Sequence, residues 1–220
     1  MKKSTIGLIV GLIIVVFGAS MAYNSLQKKD LAQNKQQSEE GLEVKPDGPV
    51  TETPNQSRAK APDFTVFDGE GKQVKFSDLG GKPTVINFWA SWCSFCKIEM
   101  PDFQEVYDKY KGQNIEFMMI AGTDGKRETR ETADSFLKEN TYNLPVYYDE
   151  ALFNRDGLDV LDSANAAYMI SGYPSTVFVD SDGNVAGIYS GALDQARLTK
   201  LVEFIMDENN NQKSMDEALK

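Results

Sequence analysis

The sequence of 220 residues contains no histidine and only two cysteines. Histidine is the commonest general base and the commonest metal ligand, so its absence excludes a Ser-His-Asp triad and a histidine-based zinc site within the chain. Two cysteines cannot form a four-cysteine metal site without a second chain. We therefore expect neither a metal site nor a bound cofactor, and any special chemistry must come from the cysteine pair.

Charge and composition narrow the classes of protein further. The formal net charge is −10, and an acidic surface repels phosphate backbones, so we expect no nucleic-acid partner. Hydrophobic residues make up 41% of the chain, which suffices for one sizeable core. The length is that of one globular domain with additional segments.

The N-terminus has the pattern of a membrane-targeting segment. Lys2 and Lys3 are the only charges before residue 28, and residues 6–22 are almost entirely apolar. A run of about 20 apolar residues crosses a bilayer, and the preceding lysines favour a cytoplasmic N-terminus. Residues 1–22 are therefore a signal anchor, or a signal peptide cleaved after residue 22. The anchor is favoured because the uncharged run exceeds the usual apolar region of a signal peptide.

Both interpretations place the rest of the chain outside the cytoplasm, either tethered as a single-pass protein of the cell membrane or secreted. Residues 23–60 are rich in polar residues and lack periodicity, which predicts a linker. A folded domain is predicted over residues 61–208. Residues 209–220 are predicted to be a frayed polar tail.

Strand and helix patterns alternate along the predicted domain. The predicted strands are residues 64–67, 73–76, 84–89, 115–120, 146–148, 175–179 and 185–189. The predicted helices are residues 94–111, interrupted at Pro101, residues 126–140, part of 156–170, and 193–206. The first two strands and the last two strands are expected to form hairpins. This order predicts an α/β protein with a mixed sheet covered by helices.

The two cysteines lie three positions apart, directly after a predicted buried strand and at the start of a predicted helix. Cys93 and Cys96 in this C-x-x-C spacing form a redox signature, because one helical turn brings both sulfurs within bonding distance. The helix N-terminus favours negative charge and so lowers the pKa of Cys93. Cys93 should be the exposed attacking thiol, and Cys96 should resolve the mixed disulfide.

Two other interpretations of the pair are open. A structural disulfide normally closes a longer loop, because so short a loop gains little entropy. A metal site would need the cysteines of two chains. The position of the pair after residues 84–89, beside a tryptophan, favours the redox interpretation.

Four segments carry a resemblance to a known family. They are residues 61–64 (Ala-Pro-Asp-Phe), residues 87–93 (Asn-Phe-Trp-Ala-Ser-Trp-Cys), Pro101 and residues 172–176 (Gly-Tyr-Pro-Ser-Thr). Over about two-thirds of its length the sequence resembles the thioredoxin superfamily, in particular its membrane-anchored cytochrome-maturation and TlpA-like reductases. The resemblance implies a thioredoxin-like fold with an N-terminal β-hairpin and a central insertion over residues 124–172. It also implies a cis Tyr173–Pro174 bond facing the disulfide, against the alternative of an ordinary trans turn proline.

Glu99 resembles an acidic residue that several of these reductases carry three positions after the second cysteine. The resemblance implies that Glu99 helps proton transfer at the buried thiol. Cys96 and Glu99 share a helix face, and a carboxylate is a reasonable proton relay in a chain without histidine. The alternative is a solvent-exposed helix glutamate.

Phe95 departs from the family pattern, which commonly has proline at that position. The direction of electron flow is therefore not readable from the motif. Phe95 could instead form an apolar docking surface beside Cys93, together with Trp92, Tyr173 and Pro174. The alternative is that these aromatic side chains only shield the cysteines.

The sequence thus predicts an extracytoplasmic thiol–disulfide oxidoreductase. The resemblance implies a reductase, with a membrane thiol-electron transporter and exported disulfide-containing proteins as partners, and it suggests apocytochrome c or methionine sulfoxide reductase as substrate. The protein is expected to act as a monomer. A disulfide-inserting oxidase and a non-catalytic thioredoxin-like docking module are the alternatives.

Overall fold

A mixed seven-stranded sheet forms the centre of the computed structural model, which describes residues 58–150 and 163–220. The strands are β1 Thr65–Phe67, β2 Gln73–Lys75, β3 Thr84–Trp89, β4 Glu116–Ala121, β5 Val146–Tyr148, β6 Ser175–Val179 and β7 Val185–Ser190. The helices are α1 Ser94–Tyr110, α2 Arg130–Glu139, α3 Ala164–Ala167 and α4 Gln195–Met206. The strand order is β2-β1-β5-β4-β3-β6-β7. The predicted α/β class is confirmed.

Strand β3 lies in the middle of the sheet and leads to the cysteines. It pairs in parallel with β4 and antiparallel with β6, and all six of its residues are buried. Because successive side chains point to opposite faces, Val85 and Trp89 pack in the core that contains α1 and α4, whereas Ile86 and Phe88 pack in the core on the other face. Asn87 therefore points to the same face as Val85 and Trp89.

Both predicted hairpins are confirmed. Strands β1 and β2 pair antiparallel, and β1 continues the sheet by an antiparallel contact with β5. Strands β6 and β7 also pair antiparallel. In the segment between β4 and β6 the structure describes α2, β5 and α3, while residues 151–162, part of the helical prediction for 156–170, lie outside the described residues.

Helix α1 runs through Pro101 without a break, so the predicted interruption is wrong. Proline removes one helical hydrogen bond because it has no amide hydrogen. The helix is held instead by its buried face, which includes Met100, Phe103 and Val106. Burial of this apolar face compensates for the missing hydrogen bond.

Helix α2 begins four residues later than predicted, at Arg130. The Asp124 carboxylate accepts hydrogen bonds from the backbone amides of residues 126, 127 and 128, at 2.9, 2.6 and 2.8 Å. Thr129 and Thr132 then form a capping box at the start of the helix. Residues 124–129 therefore form a tight loop next to the start of α2.

The C-terminal segment packs on the domain, in contrast to the frayed tail expected beyond residue 208. Met215 is fully buried against Gly187 of β7, where the missing side chain leaves room for it. Asn211 donates hydrogen bonds to Ser181 and Asp182 at 3.1 and 2.9 Å. Met215, with Ala218 and Leu219 packed on the same core, thus fixes the segment.

Within the predicted linker, Arg58 also contacts the domain. Its guanidinium pairs with the buried carboxylate of Asp180 at 2.8 Å and donates to the backbone carbonyls of Asn210 and Lys213. The folded unit therefore includes residues from 58 onward.

In the two described ranges, no helix has the length and apolar character needed to cross a bilayer. The predicted membrane segment, residues 1–22, and the linker up to residue 57 lie outside those ranges.

Candidate active site

Cys93 and Cys96 lie where β3 ends and α1 begins. Cys93 is the N-cap residue of α1, and the two cysteines form a disulfide with their Cα atoms 5.3 Å apart. Cys93 is 5% exposed and Cys96 is fully buried. In the oxidised protein the expected attacking thiol is thus the more accessible of the pair, although it is largely covered.

The start of α1 provides an environment for a thiolate at Cys93. The backbone amide of Cys96 points at the Cys93 sulfur at 3.2 Å. An amide donor and the positive end of the helix dipole both favour a negative charge at this position. The local geometry therefore suits Cys93 as the nucleophile.

Glu99 is buried, with 1% of its surface exposed, so the alternative of a solvent-exposed helix glutamate is wrong. Its carboxylate accepts hydrogen bonds from the Asn87 side-chain amide at 2.8 Å and from the Leu193 backbone amide at 3.0 Å. Burial raises the pKa of Glu99 to about 8, although these two hydrogen bonds oppose the increase. A carboxyl with this pKa can either release or accept a proton near neutral pH.

Asn87 connects Glu99 to strand β6, which begins directly after the cis-proline. Its amide nitrogen donates to the hydroxyl of Thr176 at 3.1 Å as well as to Glu99. Its Oδ1 atom is buried without a hydrogen-bond partner in the described part of the chain. Rotation of the Asn87 side-chain amide by half a turn would place Oδ1 where a protonated Glu99 could donate a hydrogen bond to it. Asn87 can therefore hydrogen-bond to Glu99 in both protonation states of the carboxyl.

The four predicted docking residues differ in exposure. Phe95 is 64% exposed and Trp92 is 37% exposed, whereas Tyr173 is half-buried and Pro174 is buried. Trp92 and Tyr173 meet, with ring centroids 6.0 Å apart. The Tyr173–Pro174 peptide bond is cis, as the resemblance implies. We refer to Trp92, Phe95, Tyr173 and Pro174 as the predicted docking surface.

Comparisons with known proteins agree with this geometry. Residues 58–188 match the model of the AhpC/TSA family. This chain belongs to the AhpC/TSA family. It is 33% identical over 154 residues to the thiol-disulfide oxidoreductase ResA of Oceanobacillus iheyensis, covering 68% of this chain and 73% of that protein. It is 30% identical over 145 residues to ResA of Bacillus subtilis, covering 66% of this chain and 73% of that protein.

Solved structures give the same assignment. A thioredoxin-family thiol:disulfide interchange protein from Chlorobium tepidum superposes with a TM-score of 0.57 at 25% identity, covering 70% of this chain and 99% of that chain. A secreted disulfide oxidoreductase from Mycobacterium tuberculosis superposes with a TM-score of 0.52 at 25% identity, covering 64% and 94%. The predicted resemblance is confirmed: the chain is a thiol–disulfide oxidoreductase with a thioredoxin-like fold.

Two further polar groups position the docking surface of the oxidoreductase. The Tyr173 hydroxyl donates to Asn165 at 2.9 Å, and the backbone and side-chain amides of Asn165 donate to Asp149 at 2.8 and 2.7 Å. The Tyr173 hydroxyl also lies directly over Gly122, where an added Cβ atom would come within 1.8 Å of it. A hydrogen-bond chain and a missing side chain thus fix the orientation of the phenol.

A second buried carboxylate lies beside the loop that leads into Cys93. Glu128 is fully buried, and its two oxygens accept hydrogen bonds from the Ser91 backbone amide at 3.0 Å and the Ser91 hydroxyl at 2.7 Å. The neighbouring Arg127 guanidinium stacks on Trp92, 3.7 Å from the ring centroid. The loop of residues 124–129 therefore contacts the two residues that precede Cys93, Ser91 and Trp92.

Sequence reasoning missed four of these residues. Asn87 had a detectable signal, because it is a polar residue within an otherwise apolar buried strand. Glu128 had none, since the run of charged residues around it has the composition of a solvated loop. Asp149 and Asn165 are likewise brought to Tyr173 only by the folding of distant segments.

Proposed function

We propose that this oxidoreductase is a disulfide reductase that works outside the cytoplasm. It receives electrons from a membrane thiol-electron transporter and passes them to oxidised exported proteins. Apocytochrome c and an exported methionine sulfoxide reductase are the candidate substrates, by analogy with the thioredoxin-like reductases that the chain resembles. The buried Glu99 one helical turn after Cys96, with a pKa of about 8, is the observation that carries the proposal.

The reaction begins with the reduced cysteine pair. The Cys93 thiolate attacks one sulfur of the substrate disulfide, which forms a mixed disulfide and releases the other substrate sulfur as a thiolate. Cys96 loses its proton to the Glu99 carboxylate and attacks the Cys93 sulfur. The bond between enzyme and substrate breaks, the second substrate thiolate leaves, and the Cys93–Cys96 disulfide remains. Two electrons have then passed to the substrate, and the membrane transporter restores the dithiol.

Glu99 supports the resolving step of this reaction because Cys96 is fully buried, so a buried carboxylate one helical turn away can serve as its base. A carboxyl with an ordinary pKa would be a weak base for a thiol, whereas a pKa near 8 brings the two groups close to a match. The Glu99 pKa is thus suited to the resolving step, in which Cys96 must become a thiolate.

The docking surface supports an extended protein segment as the substrate. Phe95 and Trp92 expose apolar rings beside Cys93, and Tyr173 contacts Trp92 next to the cis-proline. We propose that a monomer binds the cysteine-containing segment of its partner there and needs no cofactor beyond the disulfide. The N-terminal segment, residues 1–22, would hold the domain at the outer surface of the membrane.

The assigned cysteine roles can be tested with the full-length chain. Cys93→Ser should abolish insulin reduction, because the attacking thiol is gone. Cys96→Ser should accumulate mixed disulfides with partner proteins in cells, because the resolving thiol is gone. A Cys96→Ser chain that accumulates no covalent partner, tested beside Cys93→Ser as the matched control, would contradict these roles.

The direction of electron transfer is tested by the reduction potential of the Cys93–Cys96 pair. It is measured for the full-length chain in detergent, in equilibrium with glutathione or a dithiol buffer. A value near or below about −220 mV supports the reductase. A value near about −120 mV would instead assign the protein to disulfide insertion, with the membrane partner accepting electrons.

A further inference from the structure

Glu128 is a charged group next to the nucleophile that the proposed reaction does not use. Both of its oxygens accept hydrogen bonds from Ser91, and a carboxyl whose two oxygens are both acceptors is favoured in its ionised form. Ser91 precedes Cys93 by two residues, so their Cα atoms are at most about 7 Å apart. The Glu128 carboxyl is therefore a buried acidic group held against the residue two positions before Cys93, and it adds a negative charge there when it is ionised.

Charged groups of both signs lie around Glu128, and the adjacent Arg127 guanidinium stacks on Trp92. Lys97 on α1 stabilises the ionised carboxylate, while Asp124 in the adjoining loop carries a charge of the same sign. Burial raises the pKa of Glu128, and the Ser91 hydrogen bonds oppose that increase. Tyr173 from the cis-proline loop is neutral at pH 7 because burial raises its pKa to about 12. Glu99 is also largely neutral there, since its pKa is about 8.

We infer that Glu128 is a positioning residue whose negative charge disfavours the Cys93 thiolate and so makes the Cys93–Cys96 pair more reducing. A thiolate stabilises the reduced form of the pair, so a nearby anion that destabilises it shifts the equilibrium toward the disulfide. The effect of Glu128 on the pKa of Cys93 is thus opposite to that of the helix N-terminus, which alone would favour the thiolate. The inference rests on the proposed role of Cys93 as the attacking thiol.

The direct test is the pKa of Cys93, measured from the pH dependence of iodoacetamide alkylation in the reduced full-length chain carrying Cys96→Ser. Glu128→Gln removes the charge and keeps the shape, and it should lower the pKa of Cys93 by about one pH unit. Below both pKa values, alkylation should then be about tenfold faster. Glu128→Ala is a second variant without the charge and should shift the pKa in the same direction.

Two control variants separate charge from structure. Ser91→Ala keeps the Glu128 side chain but removes one hydrogen bond that favours its ionised form, so it should lower the pKa of Cys93 by less than Glu128→Gln does. Glu116→Gln removes one negative charge at the far end of the sheet, where Glu116 pairs with Thr84 at the start of β3, and it should leave the pKa of Cys93 unchanged.

Equilibrium with glutathione is an independent measurement on chains that retain both cysteines. Above the thiol pKa values, Glu128→Gln should shift the equilibrium about tenfold toward the dithiol, which corresponds to about 30 mV. An unchanged or raised Cys93 pKa in Glu128→Gln, or an equal decrease in Ser91→Ala, would overturn the inference. These outcomes compare variants with the parent chain, whereas insulin reduction and the potential of the parent chain decide the proposed function.

Discussion

Glu99 binds its proton more tightly in the folded protein than in the unfolded chain. Its pKa rises from 4.5 to about 8 because burial disfavours the carboxylate. Between these two values the native state holds more protons than the unfolded state, so the free energy of unfolding falls as the pH rises. The residue therefore lowers stability at neutral and alkaline pH and has little effect below about pH 4.5.

The variant Glu99→Gln should reverse this loss, because it is neutral at every pH. We expect its free energy of unfolding to match that of the parent chain near pH 4 and to exceed it by roughly 4–5 kcal/mol at pH 8.5. Urea titrations at the two pH values measure the difference. An equal difference at both pH values would show that Glu99 does not titrate in this range. Disulfide reduction by the variant should slow, since Cys96 loses its base.

For single residues, the sequence predicts only part of the candidate active site. Cys93, Cys96 and Pro174 carry local motifs, so their positions could be predicted without long-range information. The burial of Glu99 depends on Asn87 and on Leu193, which lies 94 residues away. No local pattern encodes such a contact, so the sequence alone does not decide whether Glu99 is buried.

Contact between the end of β4 and the cis-proline loop orients the docking surface. The chain continues from β4 into Gly122, whose amide donates to the Trp89 carbonyl at 3.1 Å, and the Tyr173 hydroxyl occupies the space that a side chain at 122 would need. A methyl group at that position must displace the phenol from Asn165 and from Trp92. The two elements therefore fit together only with glycine at this position.

Gly122→Ala should consequently impair reactions with protein substrates more than reactions with small disulfides. We expect it to destabilise the fold by about 1–3 kcal/mol, the usual cost of overpacking. Rates with insulin and with a small aromatic disulfide, compared for the same preparation, give the measurement. Tyr173→Phe is the matched control, because it removes only the hydroxyl. Equal losses with both substrates would show that the contact does not act through the docking surface.

Strands were easier to predict than the ends of elements. Runs such as residues 84–89 and 175–179 have a local composition that favours buried strands, and both form in the structure. The start of α2 depends on the Asp124 carboxylate, which holds the preceding amides in a loop. The C-terminal segment depends on a site for Met215 that β7 provides. These features result from contacts between elements, and the hydrophobic periodicity of the sequence does not predict such contacts.

Met215→Ala should destabilise the domain, because a fully buried side chain against Gly187 would leave a cavity. We expect the free energy of unfolding to fall by about 2–4 kcal/mol. Met169→Ala is the matched control, since Met169 is 85% exposed and its truncation should change stability by less than about 0.5 kcal/mol. Similar values for the two variants, measured by urea unfolding, would mean that the C-terminal segment does not pack on β7 in solution.

Arg58 joins both ends of the folded unit. It pairs with the buried Asp180 at 2.8 Å, and its other terminal nitrogen donates to the carbonyls of Asn210 and Lys213. Arg58→Ala leaves a buried carboxylate without its cation, so we expect a loss of roughly 3 kcal/mol in the free energy of unfolding. Arg58→Lys should lose less, because it keeps the charge without the forked geometry. Insulin turnover per folded molecule should stay unchanged in both variants, and a decrease would connect this region to the cysteines.

Arg58 and Lys213 lie next to each other, because the Arg58 guanidinium donates to the Lys213 carbonyl. This proximity allows the order of the segments along the chain to be changed. Neighbouring ends are what circular permutation requires, so a linker that joins the C-terminal segment after Met215 to residue 58, with a new opening at the turn around Gly112, should preserve the sheet. Asp180 lies beyond the end of β6 that is opposite to Pro174. A fluorescent reporter fused to the C-terminal segment would therefore lie near the end of β6 that is away from Pro174 and leave the cysteines open to partners.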